Sequence, residues 1–103
     1  SNIFIVKNGS VITPPQGPYI LSGITREVVI EAAKEAGVII EERSLTPDEL
    51  FSSDEVFITG STIEVVPVVK IDNRSIGDGR PGKITDIIID SFRSITQAGG
   101  KRD

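Results

Sequence analysis

Two stretches of apolar residues at helical spacing, set among short β-type runs, constrain the fold of this chain most. The first stretch runs from Ile24 to Ala36 and is followed by Gly37, which predicts an amphipathic helix with a glycine C-cap. The second stretch runs from Ile84 to Ile95 and predicts the last helix of the chain. Because strands and helices alternate, the sequence predicts a mixed α+β domain with two main helices.

The β-type runs are short and are separated by turn-forming residues. Residues 3–6 and 10–13 flank the turn residues Lys7-Asn8-Gly9 and predict a hairpin. Further strands are predicted at residues 38–40, 55–59 and 63–71. Pro67 cannot donate to a ladder of hydrogen bonds, so we expect the last of these strands to lie at a sheet edge or to contain a bulge.

Two further signals concern helix starts and the end of the chain. Thr46-Pro47-Asp48-Glu49 matches a capping box with proline at the first helical position and predicts a short helix or turn. Residues 99–103 are expected to form a disordered tail, which leaves residues 1–98 as the ordered part.

Composition excludes several classes of function. The chain has 103 residues, a formal net charge of −4, and no His or Cys, so zinc sites, thiolate nucleophiles and triads with a histidine base are ruled out and no metal site is expected. Its basic residues are scattered, which argues against nucleic acid, and its apolar runs are too short to span a membrane. With no secretory signal in view, we expect a cytoplasmic protein.

Two segments with small and hydroxyl-bearing residues are candidate anion sites. Gly23, Ile24 and Thr25 lie at the start of the first long helix, where backbone N–H groups and the helix dipole favour an anion. The alternative is that Ser22 or Thr25 only caps the helix. Thr59-Gly60-Ser61-Thr62 connects two predicted strands and is either a second anion-binding turn or an ordinary β-turn.

Other motifs in the sequence give weaker indications of function. Gly77-Asp78-Gly79-Arg80-Pro81-Gly82 matches the glycine pattern of dinucleotide sites, but Pro81 removes an N–H group, so we interpret the segment as two successive turns. Asp54-Glu55 and Glu41-Glu42 are paired carboxylates on predicted strands. Adjacent strand residues point to opposite faces, so we expect neither pair to act on one bond and interpret both as solvated surface.

Taken together, several ordered blocks resemble the C-terminal half of the class IV, fold-type IV pyridoxal-phosphate aminotransferases. The resemblance covers residues 1 to about 95 and rests on five blocks: Asn2-x-Phe4; Thr13-Pro14-Pro15; Leu21-Ser22-Gly23-Ile24-Thr25-Arg26; Asp54-Glu55-Val56-Phe57 with Thr59-Gly60-Ser61-Thr62-x-Glu64-x-x-Pro67-Val68; and Gly77-Asp78-Gly79-x-Pro81-Gly82. It implies that the chain is a fragment of the large domain of the fold-type IV enzyme fold.

The resemblance also implies roles for individual residues. Gly23, Ile24 and Thr25 would bind the phosphate of pyridoxal 5′-phosphate, and Leu21 would pack on its pyridine ring. Ser61 would add a hydroxyl to the phosphate, and the N–H groups of Ser61 and Thr62 would hold the substrate carboxylate. No catalytic residue is assigned, because the family's Schiff-base lysine matches a position upstream of Ser1, and the fragment alone is expected to be inactive.

The implied activity is transfer of an amino group between an amino acid and a 2-oxo acid in a homodimeric enzyme. Branched-chain L-amino acids are the first substrate class, with D-amino-acid aminotransferase and then aminodeoxychorismate lyase as alternatives. A different class of hypothesis is a free-standing binding or structural module without catalysis.

Overall fold

The computed structural model describes residues 2–16, 23–60 and 64–100. Its elements follow the chain in this order: β1 (Asn2–Lys7), β2 (Ser10–Thr13), α1 (Ile24–Glu35), β3 (Ile40–Glu42), α2 (Pro47–Ser52), β4 (Glu55–Thr59), β5 (Val65–Val68), β6 (Lys70–Ile71), β7 (Arg74–Ser75) and α3 (Lys83–Gly100). The predicted α+β class is confirmed, and α1 and α3 are the two main helices.

Five of the strands form one mixed sheet with the order β3-β2-β1-β4-β5. Strand β1 is antiparallel to β2 and to β4, and β4 is antiparallel to β5, whereas β2 and β3 run parallel. The predicted β1–β2 hairpin turns at Asn8 and Gly9, whose φ angles of 51° and 81° fit the two-residue turns that match strand twist. Strands β6 and β7 form a separate small hairpin.

Both faces of the sheet are covered, which explains why the first strand is apolar without alternation. On one face, Phe4 stacks on Phe57 with ring centroids 4.8 Å apart, and helices α1 and α3 pack over them. On the other face, Ile5 and Val56 pack with Ile76 and with side chains of α2. We call the first of these the helix face of the sheet.

The end of α1 explains why β3 begins later than predicted. Gly37 lies just after the C-cap Ala36 with a φ of 74°, and its N–H donates to the carbonyl of Lys34. The N–H of Val38 donates to the carbonyl of Ala33 at 2.8 Å, so these residues complete a Schellman motif. Pairing with β2 therefore starts at Ile40 and not at Val38.

The C-terminal part differs from the prediction in two places. The expected strand over residues 63–71 is divided into β5 and β6, which belong to different sheets, and Pro67 lies in β5 at the sheet edge as predicted. Helix α3 extends to Gly100, so it includes the first two residues of the expected tail. Residues 101–103 lie outside the described part.

Candidate phosphate-binding site

Helix α1 begins at a residue that has no side chain. Gly23 is the N-cap in an extended conformation, with φ −69° and ψ 131°, and its carbonyl accepts the first helical hydrogen bond from the N–H of Glu27 at 3.2 Å. Ile24 is the first helical residue and is 76% exposed, whereas Thr25 is 7% exposed. Thr25 lies inside the helix, so the alternative in which it is the N-cap is wrong.

The start of α1 meets the sheet at Asn2. A Cβ atom built on Gly23 would lie 3.5 Å from Nδ2 of Asn2, so the helix N-terminus and the first residue of β1 are neighbours. Nε2 of Gln16 donates to Oδ1 of Asn2 at 2.9 Å, which orients the asparagine amide. Asn2 is also paired with Thr59, the last residue of β4.

This pairing brings the two predicted anion-binding segments to the same end of the sheet. Gly60 follows Thr59 directly, so the turn between β4 and β5 starts beside Asn2 and therefore beside the N-terminus of α1. Of the predicted site residues, Gly23, Ile24 and Thr25 are described, and Leu21, Ser61 and Thr62 lie outside the described residues. Thr59 was predicted only as one residue of the candidate segment Thr59-Gly60-Ser61-Thr62, and Asn2 had no predicted role, although polar residues at the ends of two otherwise apolar strands are a recognisable signal.

Arg26 anchors the first turn of α1. Its side chain is 6% exposed, and Nη2 donates to the carbonyl of Pro14 at 3.1 Å and to Oε2 of Glu42 at 2.7 Å. The guanidinium thereby joins α1 to the segment after β2 and to β3. Glu42 was expected to be solvated surface, and its side chain is 52% exposed; it is also the counter-charge of the buried Arg26.

At the starts of α2 and α3, side chains of the protein occupy the helix N-termini. Thr46 and Glu49 form the predicted capping box of α2. Arg43 donates two hydrogen bonds to Glu49, and with the N–H of Thr46 these lower the pKa of Glu49 to about 2. Oε2 and Oε1 of Glu55 accept from the N–H groups of Ile84 and Thr85 at 3.1 and 2.7 Å.

The glycine-rich segment before α3 is therefore a structural element. The N–H of Gly79 donates to the carbonyl of Ile76, and that of Arg80 donates to Oδ1 of Asp78, which confirms the interpretation as successive turns. A Cβ atom on Gly82 would overlap the carboxylate of Glu55. The segment lets this carboxylate reach the N-terminus of α3, so a dinucleotide pyrophosphate has no place there.

Within the described residues, no cluster of three or more potential metal-ligating side chains is found. In the same part of the chain, no helix combines the length and hydropathy that crossing a membrane requires.

Comparisons with known proteins identify the family of this chain. A family model described as amino-transferase class IV matches residues 1–71. A branched-chain-amino-acid aminotransferase from Escherichia coli (strain K12) is 41% identical over 91 residues, which cover 88% of this chain and 29% of that protein. A D-alanine aminotransferase from Bacillus licheniformis is 46% identical over 85 residues, which cover 82% of this chain and 30% of that protein.

Solved structures show the same relationship. The crystal structure of an aminotransferase from Brucella abortus bound to the cofactor PLP superposes with a TM-score of 0.84 at 34% identity, and the match covers 94% of this chain and 34% of that chain. This chain thus spans about a third of the length of the relatives it matches. Because the family model matches more than half of its residues, the chain belongs to the class IV aminotransferases.

Proposed function

We propose that this chain forms the cofactor-phosphate-binding part of a pyridoxal-phosphate-dependent aminotransferase. The observation that carries the proposal is the meeting of Gly23, Asn2 and Thr59 at one end of the sheet. Through these three residues, the N-terminus of the 12-residue helix α1 lies near the segment that follows β4. Both segments offer backbone N–H groups and hydroxyls, which are the donors that a phosphate dianion needs.

The chemistry of these residues fits the phosphate end of the cofactor. Gly23 contributes no side chain to the N-terminus of α1, and the backbone N–H groups of a helix start favour an anion. Thr25 is buried in the first turn of α1, and Ser61 follows Gly60 in the sequence, so both are candidates to give a hydroxyl to the phosphate. When bound, pyridoxal phosphate supplies an electron sink that stabilises a carbanion at the α-carbon of the amino acid.

The contribution of this chain is then binding and orientation. The phosphate would be held by the N–H groups of Ile24 and Thr25 and by the hydroxyls of Thr25 and Ser61. Leu21 would pack on the pyridine ring, and the N–H groups of Ser61 and Thr62 would hold the substrate carboxylate. A fixed phosphate restrains the position of the rest of the cofactor relative to the substrate, and this orientation contributes to the reaction rate.

The proposed reaction is transfer of an amino group from a branched-chain L-amino acid to a 2-oxo acid. Support comes from the match to the Escherichia coli branched-chain enzyme, which covers 88% of this chain, against 82% for the D-alanine aminotransferase. Transfer from a D-amino acid is the second candidate, because the D-alanine aminotransferase is 46% identical over a shorter match. Comparing kcat/KM for L-leucine and D-alanine on the full-length enzyme separates the two.

The phosphate site is tested by paired variants in the full-length enzyme. We expect Thr25→Ala and Ser61→Ala each to weaken binding of pyridoxal phosphate about 10-fold or more, because a hydrogen bond to a charged group is lost. Ser52→Ala is the control, since Ser52 is an exposed hydroxyl on α2, across the sheet from α1. Unchanged affinity in both site variants by absorbance titration would reject the site.

Assembly and location remain predictions for the intact protein. A homodimer is the assembly that the family resemblance implies for the intact protein, and exposed apolar side chains such as Ile24 and Ile39, at 76% and 70%, are available for an interface. Light scattering of the full-length enzyme measures the oligomeric state, and cell fractionation tests the expected cytoplasmic location.

A further inference from the structure

Thr59 carries a buried hydroxyl that nothing in the described structure satisfies. The residue is 0% exposed, and its Oγ1 has no hydrogen-bond partner among the described residues. A hydroxyl removed from water without a partner costs free energy, whereas a valine of the same shape would not incur that cost. The hydroxyl therefore needs an explanation beyond packing.

The register of the sheet gives the direction of this side chain. Side chains alternate along a strand, so Thr59 shares the helix face with Phe57, which stacks on Phe4. Thr59 is paired with Asn2, and Asn2 lies against Gly23 at the start of α1. The unpartnered hydroxyl thus lies on the helix face, one strand away from the N-terminus of α1.

Thr85 is a second buried threonine whose Oγ1 has no partner among the described residues. It serves as a comparison, because it shares the burial of Thr59 but lies elsewhere in the fold. It is also 0% exposed, but its backbone N–H binds the carboxylate of Glu55. Glu55 begins β4 and Thr59 ends it, so the two threonines lie near opposite ends of the same strand. Only Thr59 adjoins the proposed phosphate site.

We propose that Thr59 is a further binding residue of that site, with its hydroxyl donating a hydrogen bond to the phosphate group of the cofactor. The proposal rests on the proposed function. A phosphate dianion presents only acceptors, and a hydroxyl that is free of other acceptors can donate to it without breaking an existing bond. Thr59 directly precedes Gly60, so its hydroxyl lies at the start of the second candidate anion-binding segment.

The experiment compares three variants of the full-length enzyme in its apo form. Thr59→Val removes the hydroxyl and keeps the shape, Thr59→Ser restores a hydroxyl, and Thr85→Val removes the matched hydroxyl outside the site. Dissociation constants are measured for pyridoxal phosphate and for pyridoxal, which lacks the phosphate, and binding of inorganic phosphate alone is followed by phosphorus NMR.

We expect Thr59→Val to weaken pyridoxal phosphate and inorganic phosphate binding by about 10- to 100-fold and to leave pyridoxal binding unchanged. Thr59→Ser should retain most of the affinity, and Thr85→Val all of it. Equal weakening of pyridoxal and pyridoxal phosphate, or an apo Thr59→Val protein that does not fold, would show a structural role and overturn the inference.

The same variants distinguish failure of the Thr59 proposal from failure of the proposed phosphate site. If Thr59→Val binds pyridoxal phosphate like the unchanged enzyme while Thr25→Ala does not, the role of Thr59 is refuted and the phosphate site stands. If Thr25→Ala, Ser61→Ala and Thr59→Val all bind normally, both proposals fail.

Discussion

One carboxylate, that of Glu55, caps the N-terminus of α3 from a strand 29 residues away in the chain. Its two oxygens bind two successive N–H groups, and Gly82 leaves the space that the carboxylate occupies. We expect Gly82→Ala to destabilise the fold by about 1–3 kcal/mol, because the new methyl group displaces the carboxylate from both donors. Urea unfolding measures this change.

A double-mutant cycle isolates the cause of that loss. In a Glu55→Ala background the space beside residue 82 is empty, so adding Gly82→Ala should cost only about 0.5 kcal/mol or less. If Gly82→Ala costs the same in both backgrounds, the backbone of the loop and not the carboxylate is responsible.

The buried Arg26 predicts unequal effects at two neighbouring glutamates. Glu42 is the counter-charge of a guanidinium that is 6% exposed, whereas Glu41 lies 3.5 Å from the more exposed Arg43. We expect Glu42→Gln to destabilise the fold by about 1–2 kcal/mol, and Glu41→Gln by less than about 0.5 kcal/mol. Thermal unfolding of both variants under one condition provides the comparison, and equal losses would contradict it.

At the scale of elements, Glu49 of α2 makes the stability of the fold depend on pH. The hydrogen bonds from Arg43 and Thr46 lower the pKa of Glu49 from 4.5 to about 2 in the folded chain. A lowered folded pKa means that ionised Glu49 stabilises the fold above pH 4.5 and that this contribution is lost as the pH falls towards 2.

The lowered pKa of Glu49 predicts how the melting temperature changes with pH. Glu49→Gln should show a smaller fall in melting temperature between pH 4.5 and pH 2 than the unchanged chain, because it has no carboxylate to protonate. Glu41→Gln, which removes a neighbouring exposed carboxylate, serves as the control. Parallel curves for all three proteins would show that Glu49 does not contribute.

Elements with a strong local signal were predictable from the sequence. The Asn8-Gly9 turn, the capping box at Thr46 and the glycine after α1 each depend on the chemistry of a few adjacent residues, and the structure contains all three. The division of residues 63–71 between two sheets was not predictable, because it depends on which strands lie beside them. The same holds for Glu55, whose partners are distant in sequence.

At the scale of the whole molecule, the proposed phosphate site depends on strand order. The sequence predicted two separate anion-binding segments, at Gly23 and at Gly60. They meet only because β1 lies between β2 and β4, which pairs Asn2 with Thr59. No local pattern encodes a pairing between residues so far apart. The resemblance to a family supplied this connection before the geometry did.

The lysines that the structure describes give no candidate for the Schiff base near the proposed phosphate site. Of the five in the chain, Lys101 lies outside the described residues and Lys70 begins β6, in the separate small hairpin. Lys7 lies at the far end of β1 from Asn2, about 17 Å away at the usual rise of a strand. Lys34 is in the last turn of α1, about 15 Å from Ile24, and Lys83 begins α3 beside Glu55, at the opposite end of β4 from Thr59.

We therefore expect this 103-residue chain, mixed with pyridoxal phosphate and borohydride, to show no single stoichiometrically labelled lysine by peptide mass spectrometry and no transamination. The full-length enzyme should be labelled at one lysine outside this segment. Stoichiometric labelling of one lysine within residues 1–103 would contradict the assignment of the chain to binding, and absence of labelling in the full-length protein would favour a non-catalytic binding module.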